Sequence, residues 1–180
     1  LINDSQIDVF KKQGKVAELE NLVSAAAPKS SLGIGHTRWA THGPPNDVNS
    51  HPHYSNSKRI AIIHNGIIEN YAAIKEGLLK RGYTVESETD TEVLVNLIED
   101  VLVHTKVSLA ESVRIALNQV VGAYAIAVID ESNNDQIVVA KKGSPLVIGI
   151  GGGEYYIASD ATPFIEYTNR SIYLEDNEMA

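Results

Sequence analysis

The stretch AYAIAVIDESNNDQIVVAK, residues 123–141, decides the fold class of this 180-residue chain. Its two apolar runs, AYAIAVID and QIVVAK, have the length of strands and are rich in β-branched residues. The polar run between them contains NND, which is typical of a tight connection between antiparallel strands. We therefore predict a β-hairpin here, and a second strand pair in LVIGIGGGEYYIAS, residues 146–159, around its glycine turn.

Three helical patterns lie upstream of this hairpin, at residues 70–83, 89–105 and 108–120. Two of them open on a capping box, formed by Thr89 with Glu92 and by Ser108 with Glu111. A fourth pattern, residues 15–27, also has apolar residues at helical spacing. The middle of the chain is therefore predicted to be helical.

Short strand patterns occupy much of the remaining chain, at residues 7–14, 31–40, 59–66 and 171–174, with a brief helix at 162–167. Helices in the middle, flanked by hairpin-like strands, favour an α+β fold with antiparallel sheets over alternating strands and helices. We interpret residues 1–180 as a single domain.

The composition excludes several classes of protein. A formal net charge of −8, without a basic run interleaved with aromatic residues, argues against a nucleic-acid surface. No apolar run approaches the roughly 20 residues that span a bilayer. The sequence contains no cysteine, which excludes a disulfide framework, a thiolate metal site and a cysteine nucleophile within these residues. We expect a cytoplasmic protein with no nucleic-acid or membrane partner.

The richest candidate region is GIGHTRWATHGPPNDVNSHPH, residues 33–53. Arg38 has two interpretations: it pairs with a neighbouring carboxylate, or its planar guanidinium binds a small carboxylate ligand in a bidentate manner. Trp39 is expected either to fill the core or to border the same ligand. Thr41 and His42 then belong to a loop that closes over the ligand.

Five histidines, His36, His42, His51, His53 and His64, lie close together in the sequence. Imidazole is the commonest metal ligand, but no H-E-x-x-H arrangement occurs and no carboxylate has regular ligand spacing among them. We therefore expect no metal site and no cofactor, and interpret residues 51–53 as a rigid polar loop.

The pair Asn65-Gly66 follows a buried-looking strand and allows two interpretations. Asn-Gly at a strand end is the commonest tight hairpin turn, although the IIENY that follows is a poor return strand. Alternatively, the Asn65 side-chain amide and the Gly66 backbone N–H form an oxyanion hole for an acyl-transfer transition state.

Asp90 also allows two interpretations. It can act only as a helix-start residue beside the capping box, or it can bind the ammonium group of a ligand. Arg38 and Asp90 together would then hold the two charged ends of a free amino acid.

Several of these motifs resemble the same protein family. GIGHTRWATHG, NSHPH, HNGIIENY, SETDTEV, GAYAIAVID and GSPLVIGIG…EYYIASD resemble, in order along nearly the whole chain, the glutaminase domain of the glucosamine-6-phosphate synthases. These enzymes are class II glutamine amidotransferases, also called glutamine–fructose-6-phosphate aminotransferases.

The resemblance implies a four-layer α/β/β/α sandwich of the N-terminal nucleophile hydrolase type. It implies that a cysteine at the first residue of the mature chain attacks the glutamine amide, with its own α-amino group as the base. Ammonia then passes to a sugar-isomerase domain, where it converts fructose 6-phosphate to glucosamine 6-phosphate.

By the same resemblance, Arg38 binds the α-carboxylate of L-glutamine and Asp90 its α-ammonium. Thr41 and His42 belong to the closing loop, and Trp39 lies where the ammonia path begins. Asn65 and Gly66 form the oxyanion hole.

The chain departs from the family pattern at its start, because Leu1 matches a position well inside the glutaminase domain. We therefore expect an incomplete domain that lacks its first strands and is inactive alone. We also expect a sugar-isomerase domain C-terminal to it, which is absent from residues 1–180. An exposed sheet edge would favour a homo-oligomer. Two alternatives stay open: the glutaminase half of another class II amidotransferase, and a non-catalytic amino-acid-binding module.

Overall fold

A computed structural model of the chain describes residues 1–3, 6–39 and 43–180. The strands of these ranges are β1 (Ile2–Asn3), β2 (Gln6–Ile7), β3 (His53–Tyr54), β4 (Ile60–Ile68), β5 (Gly122–Asp130), β6 (Asn133–Lys142), β7 (Val147–Ile150), β8 (Tyr155–Ala158), β9 (Ser171–Tyr173) and β10 (Glu178–Met179). The helices are α1 (Val16–Ala26), α2 (Tyr71–Lys80), α3 (Asp90–Thr105) and α4 (Leu109–Leu117), with a 3₁₀ turn at Thr162–Phe164.

The predicted hairpin is confirmed and forms the centre of the larger sheet. β5 pairs antiparallel with β6, and the sheet has the strand order β10-β6-β5-β4-β3. The connection lies at residues 131–132, where the Asp130 carboxylate accepts hydrogen bonds from the Ser132 N–H and hydroxyl. The residues NND therefore belong to β6 and not to the turn, because the turn is closed by Asp130.

The alternating side chains of β5 build two different cores. Tyr124, Ile126 and Val128 join the cluster that contains the buried side of α3. Ala125 and Ala127 point the other way and join a second cluster with Ile148 and Ile157 of the smaller sheet, whose order is β8-β7-β9. The helices α2, α3 and α4 and the smaller sheet thus pack on opposite faces of the larger sheet, which confirms the α+β class.

The capping residues of α3 and α4 are confirmed. The Thr89 hydroxyl accepts from the Glu92 N–H at 3.3 Å, and the Ser108 hydroxyl accepts from the Glu111 N–H at 3.2 Å. The Glu92 carboxylate accepts hydrogen bonds from the N–H groups of residues 86 and 87, rather than from the Thr89 N–H that a capping box would pair with it. The carboxylate therefore holds the incoming chain against the start of α3.

Several predicted boundaries are wrong. The strand expected at 7–14 is limited to Ile7, at the end of β2. Residues 31–39 form no strand: Leu32 accepts a single backbone hydrogen bond from Ile2 of β1, and Leu32 and Ile34 pack in the core. The helix expected at 162–167 is a single 3₁₀ turn. No helix of the described ranges has the length and apolarity needed to cross a membrane.

The strand expected at 59–66 continues to Ile68, so the hairpin-turn interpretation of Asn65-Gly66 is wrong. β4 and β5 pair from Ile60 with Asp130 to Ile68 with Gly122. Gly66 has a φ of +131°, and a Cβ on it would lie 2.1 Å from the Ala123 carbonyl oxygen. Glycine is required here by close strand approach rather than by a turn.

We expect Gly122→Ala to lower the free energy of unfolding by roughly 2–3 kcal/mol. Gly122 has a φ of +135°, and its added Cβ would lie 2.1 Å from the Ile67 carbonyl oxygen. Urea unfolding of the two proteins measures the difference. Gly152→Ala is the control, because nothing lies within 4 Å of its added Cβ; equal stability losses in the two variants would contradict the steric explanation.

Candidate functional site

A cavity of about 250 Å³ opens where the end of β4 meets the start of α3. Five of the predicted site residues line it: Arg38, Trp39, Asn65, Gly66 and Asp90. The structure thus brings these residues together from three parts of the chain. The other two predicted residues, Thr41 and His42, lie outside the described residues.

Arg38 and Asp90 are the charged residues among the described residues that line this cavity. One is a cation and the other an anion, so the formal charge of this lining is balanced. Apart from Trp39 and Gly66, the remaining lining is polar, with histidine, threonine and asparagine side chains. A cavity of this kind suits a small ligand that itself has one positive and one negative group.

The Arg38 guanidinium lies against the following loop. Its Nη1 lies 3.4 Å from the Pro44 carbonyl oxygen and its Nη2 lies 3.5 Å from the Gly43 carbonyl oxygen. Asn49 donates a further hydrogen bond to the Pro44 carbonyl oxygen at 3.0 Å. These contacts fix the guanidinium and the loop relative to one another. Trp39 is 89% exposed, so the alternative in which it fills the core is wrong.

Asp90 is the first residue of α3 and is buried. Its Oδ2 accepts from the Ile68 N–H at 2.8 Å, which joins the start of α3 to the end of β4. The carboxylate lies in the first turn of the helix, at the positive end of its dipole. Asp90 therefore has the structural role of a helix-start residue and also lies on the cavity wall.

Asn65 and Gly66 are adjacent on β4, at the mouth of the cavity. The Asn65 Oδ1 lies 2.7 Å from the His36 Nε2, within hydrogen-bond distance. Gly66 pairs with Tyr124 in the β4–β5 ladder, so its backbone position is set by the sheet. The side-chain amide of one residue and the backbone of the next thus meet the same cavity from a rigid element.

Four histidines form a cluster beside the cavity. The His36 ring stacks on the His51 ring, with 4.3 Å between ring centroids and 20° between planes, and His53 meets His51 edge-on at 5.0 Å. The His64 N–H donates to the His51 Nδ1 at 3.3 Å. The His64 Nδ1 lies 3.0 Å from the Thr91 hydroxyl.

Burial and repulsion between neighbouring charges keep His36, His51 and His53 uncharged near neutral pH. Burial lowers the pKa of His51 strongly, and the neighbouring histidines lower it further. Burial and the Lys11 charge lower the pKa of His53 to about 3. Burial lowers the pKa of His36 as well, and Arg38 acts in the same direction. The charge of the cavity lining therefore comes from Arg38 and Asp90.

Sequence reasoning missed the contact between His36 and Asn65. The two residues are 29 positions apart, and neither lies in a pattern that pairs it with the other. The histidine-rich composition of residues 33–53 was the one available signal, and it suggested a metal. Among the described residues, no group of three or more His, Asp or Glu side chains is arranged to hold a metal ion.

The sequence pattern of the glutamine amidotransferase domain matches residues 24–180. The chain belongs to this family. Solved structures agree with the assignment: the chain superposes on glutamine phosphoribosylpyrophosphate amidotransferase from B. subtilis, complexed with ADP and GMP, with a TM-score of 0.79 at 28% identity, over 98% of this chain and 38% of that one. The fold is that of the N-terminal nucleophile type amidotransferases.

Two curated relatives are more similar in sequence. Glutamine–fructose-6-phosphate aminotransferase (isomerizing) of Bacteroides thetaiotaomicron is 56% identical, over 100% of this chain and 30% of that protein. The protein of the same name from Chlorobaculum tepidum is 51% identical, over 98% of this chain and 30% of that protein. The chain therefore spans about 30% of the length of these relatives.

We expect the free energy of unfolding to fall as the pH decreases from 6.5 towards 3. His53 binds a proton in the unfolded chain near its ordinary pKa of 6.5, whereas its pKa in the folded chain is about 3. The unfolded state therefore binds more protons in this interval, at a cost of roughly 1 kcal/mol per pH unit. Urea unfolding at several pH values measures the slope.

His53→Gln should reduce this slope by roughly 1 kcal/mol per pH unit. His104→Gln is the matched control, because His104 lies exposed in the last turn of α3. A slope that is the same in wild type and His53→Gln would show that His53 is protonated in the folded protein.

Proposed function

We propose that this chain forms the glutamine site of a glutamine–fructose-6-phosphate aminotransferase. The observation that supports this proposal is the balanced pair of charges in one small cavity, Arg38 and Asp90, beside Asn65 and Gly66. Free glutamine has an α-carboxylate and an α-ammonium group, which require a cation and an anion on opposite sides of the ligand. Its side-chain amide is the group that the enzyme hydrolyses.

Arg38 binds the α-carboxylate in this proposal. A guanidinium offers two parallel N–H donors to a carboxylate, which gives both affinity and orientation. The contacts with the Gly43 and Pro44 carbonyl oxygens hold the group without neutralising its charge. The loop that contains Thr41 and His42 then closes over the bound glutamine, and Trp39 borders the path by which ammonia leaves.

Asp90 binds the α-ammonium group. One carboxylate oxygen is committed to the Ile68 N–H, and a carboxylate has lone pairs left for an ammonium donor. Because Asp90 is buried, its charge acts at low dielectric and the interaction is stronger than at a surface. The pair therefore orients the amino acid with its side chain towards Asn65.

Asn65 and Gly66 stabilise the oxyanion. The attack of a nucleophile on the glutamine amide places negative charge on the former carbonyl oxygen, and two N–H donors aimed at that position lower the barrier. The nucleophile is a cysteine outside these 180 residues, since the sequence contains none. Its attack forms a thioester and releases ammonia, and water then cleaves the thioester to glutamate.

The remaining proposals concern the whole protein. Residues 1–180 are an incomplete single domain, and the rest of the polypeptide includes a sugar-isomerase domain that adds the ammonia to fructose 6-phosphate. The protein acts in amino sugar biosynthesis in the cytoplasm, with no nucleic-acid or membrane partner, and forms a homo-oligomer. The 30% share of the relatives' length supports a longer polypeptide.

Two alternatives are less well supported. Another class II amidotransferase is disfavoured by identity, which is 28% to the phosphoribosylpyrophosphate amidotransferase against 56% to the aminotransferase. A non-catalytic amino-acid-binding module needs only Arg38 and Asp90. The binding and activity measurements below separate it from the proposal.

We expect Arg38→Ala and Asp90→Asn each to weaken glutamine binding at least tenfold, because each removes one charge contact. Asp90→Asn retains an oxygen that can accept from Ile68, so the fold is preserved. Calorimetric titration of the 180-residue chain measures the affinities. Arg114→Ala and Asp135→Asn, on exposed positions, are the matched controls.

Modified ligands assign each charge to its residue. L-glutaminamide, which lacks the α-carboxylate, should bind Arg38→Ala and wild type equally. N-acetyl-L-glutamine, which lacks the α-ammonium, should bind Asp90→Asn and wild type equally. A swapped pattern would reverse the two assignments, and equal glutamine binding by all variants would reject the site.

We expect no glutamine hydrolysis by the 180-residue chain, and hydrolysis by the enzyme that contains this domain together with its cysteine. In that enzyme, Asn65→Ala should lower kcat roughly 10²- to 10³-fold with little change in KM. Ammonia release measures both. Activity of the isolated chain would contradict the assignment of the nucleophile, and absence of activity in the longer enzyme would favour the non-catalytic module.

A further inference from the structure

We propose that His36 is a positioning residue that turns the Asn65 side-chain amide so that its NH₂ group faces the cavity. The proposal rests on the proposed glutaminase function, and it extends that function to a residue that contacts no reacting atom. It starts from the 2.7 Å contact between the His36 Nε2 and the Asn65 Oδ1.

An asparagine side chain has one acceptor end and one donor end, and an oxyanion hole needs the donor end. Rotation of the amide by 180° would present Oδ1 to the developing negative charge, which would repel it. Asn65 is exposed on its strand, so burial does not by itself select one orientation. A neighbouring group must select it.

Two arrangements satisfy the short contact. In the first, the His36 Nε2–H donates to Asn65 Oδ1, and the Asn65 NH₂ group remains available to the cavity. In the second, the amide is reversed, its NH₂ donates to a bare Nε2, and the proton of His36 lies on Nδ1. The choice therefore depends on the tautomer of His36.

The surroundings of Nδ1 favour the first arrangement. The His36 Nδ1 is buried and has no hydrogen-bond partner among the described residues. A buried N–H without an acceptor is costlier and rarer than an acceptor without a donor. The proton therefore lies on Nε2.

The His36 ring is held in place by His51, which in turn forms a hydrogen bond with β4, the strand that contains Asn65. His36 stacks on His51 at 4.3 Å, and the His51 Nδ1 accepts from the backbone N–H of His64, the residue before Asn65. His36 lies outside the strands, so side-chain contacts rather than strand pairing hold it in position. The position of His36 and that of Asn65 are thereby coupled.

The tautomer can be measured directly on the 180-residue chain. Long-range ¹H–¹⁵N correlation spectra distinguish a protonated Nε2 from a protonated Nδ1 in each histidine. We expect the Nε2–H tautomer for His36 at neutral pH, and Asn65→Ala should shift the His36 resonances whereas Asn133→Ala should not. A Nδ1–H tautomer would overturn the proposal, whatever the activity of the longer enzyme.

The functional test uses two amide substitutions of His36 in the enzyme that contains this domain with its cysteine. His36→Gln places an NH₂ group near the former Nε2, whereas His36→Asn places one near the former Nδ1 and does not reach Asn65. We expect His36→Asn to lower kcat roughly 10- to 100-fold with KM for glutamine nearly unchanged, and His36→Gln to restore most of it. His104→Gln is the control for loss of a histidine.

The outcomes distinguish failure of the proposed glutaminase function from failure of the positioning role of His36. An inactive wild-type enzyme rejects the proposed function. An active wild type in which His36→Asn retains full kcat rejects the positioning role alone. Equal losses of kcat in His36→Asn and His36→Gln, or a parallel rise in KM, would indicate a general effect on the site and would also reject it.

Discussion

The pairing of β4 with β5 is the constraint on which the rest of the structure depends. At its end, Gly66 and Gly122 allow each strand to approach the carbonyl oxygens of the other so closely that an added Cβ would lie 2.1 Å away. Because the ladder remains continuous to Ile68, Asn65 and Gly66 are held by a sheet and not by a loop. The same strand end presents the Ile68 N–H to Asp90, so the first turn of α3 is anchored to the ladder. One hydrogen-bonded ladder therefore sets the positions of three candidate site residues.

The electrostatics of the cavity follow from burial. Imidazoles that are crowded together and removed from water stay neutral, because each added proton would be poorly solvated and would be repelled by its neighbours and by Arg38. Neutral rings do not compete with a ligand's ammonium group for Asp90, and they do not screen Arg38 from a carboxylate. The histidine-rich composition thus serves hydrogen bonding and stacking, in which direction matters more than charge.

The sequence predicted those features that depend on local pattern. The helices α3 and α4 begin where Thr89 and Ser108 cap them, and the two apolar runs of residues 123–141 form the central hairpin, because these signals act within a few residues. Asn65-Gly66 shows where local pattern fails: its turn signal is overridden by pairing with residues almost sixty positions away. The strand expected at 31–40 failed for a related reason, since β-propensity needs a partner strand and none pairs with residues 31–39 among the described elements. The candidate residues were found from their chemistry, whereas the contact of His36 with Asn65 required the three-dimensional arrangement.

The three candidate residues Arg38, Asp90 and Asn65 are supported by different parts of the structure: a loop, the end of a strand and a stacked ring. The Arg38 guanidinium lies against backbone carbonyl oxygens of a loop, at 3.4 and 3.5 Å. Asp90 and Asn65 are held by contacts of 2.8 and 2.7 Å to a sheet strand and to a stacked ring. Under the proposed function, the residue assigned to the oxyanion is therefore supported by a sheet strand and a stacked ring, whereas the residue assigned to the α-carboxylate lies against a loop. Under the proposed function, substitutions in the β4–β5 ladder would act on the chemical step, and substitutions in the loop at Gly43 and Pro44 would act on glutamine binding.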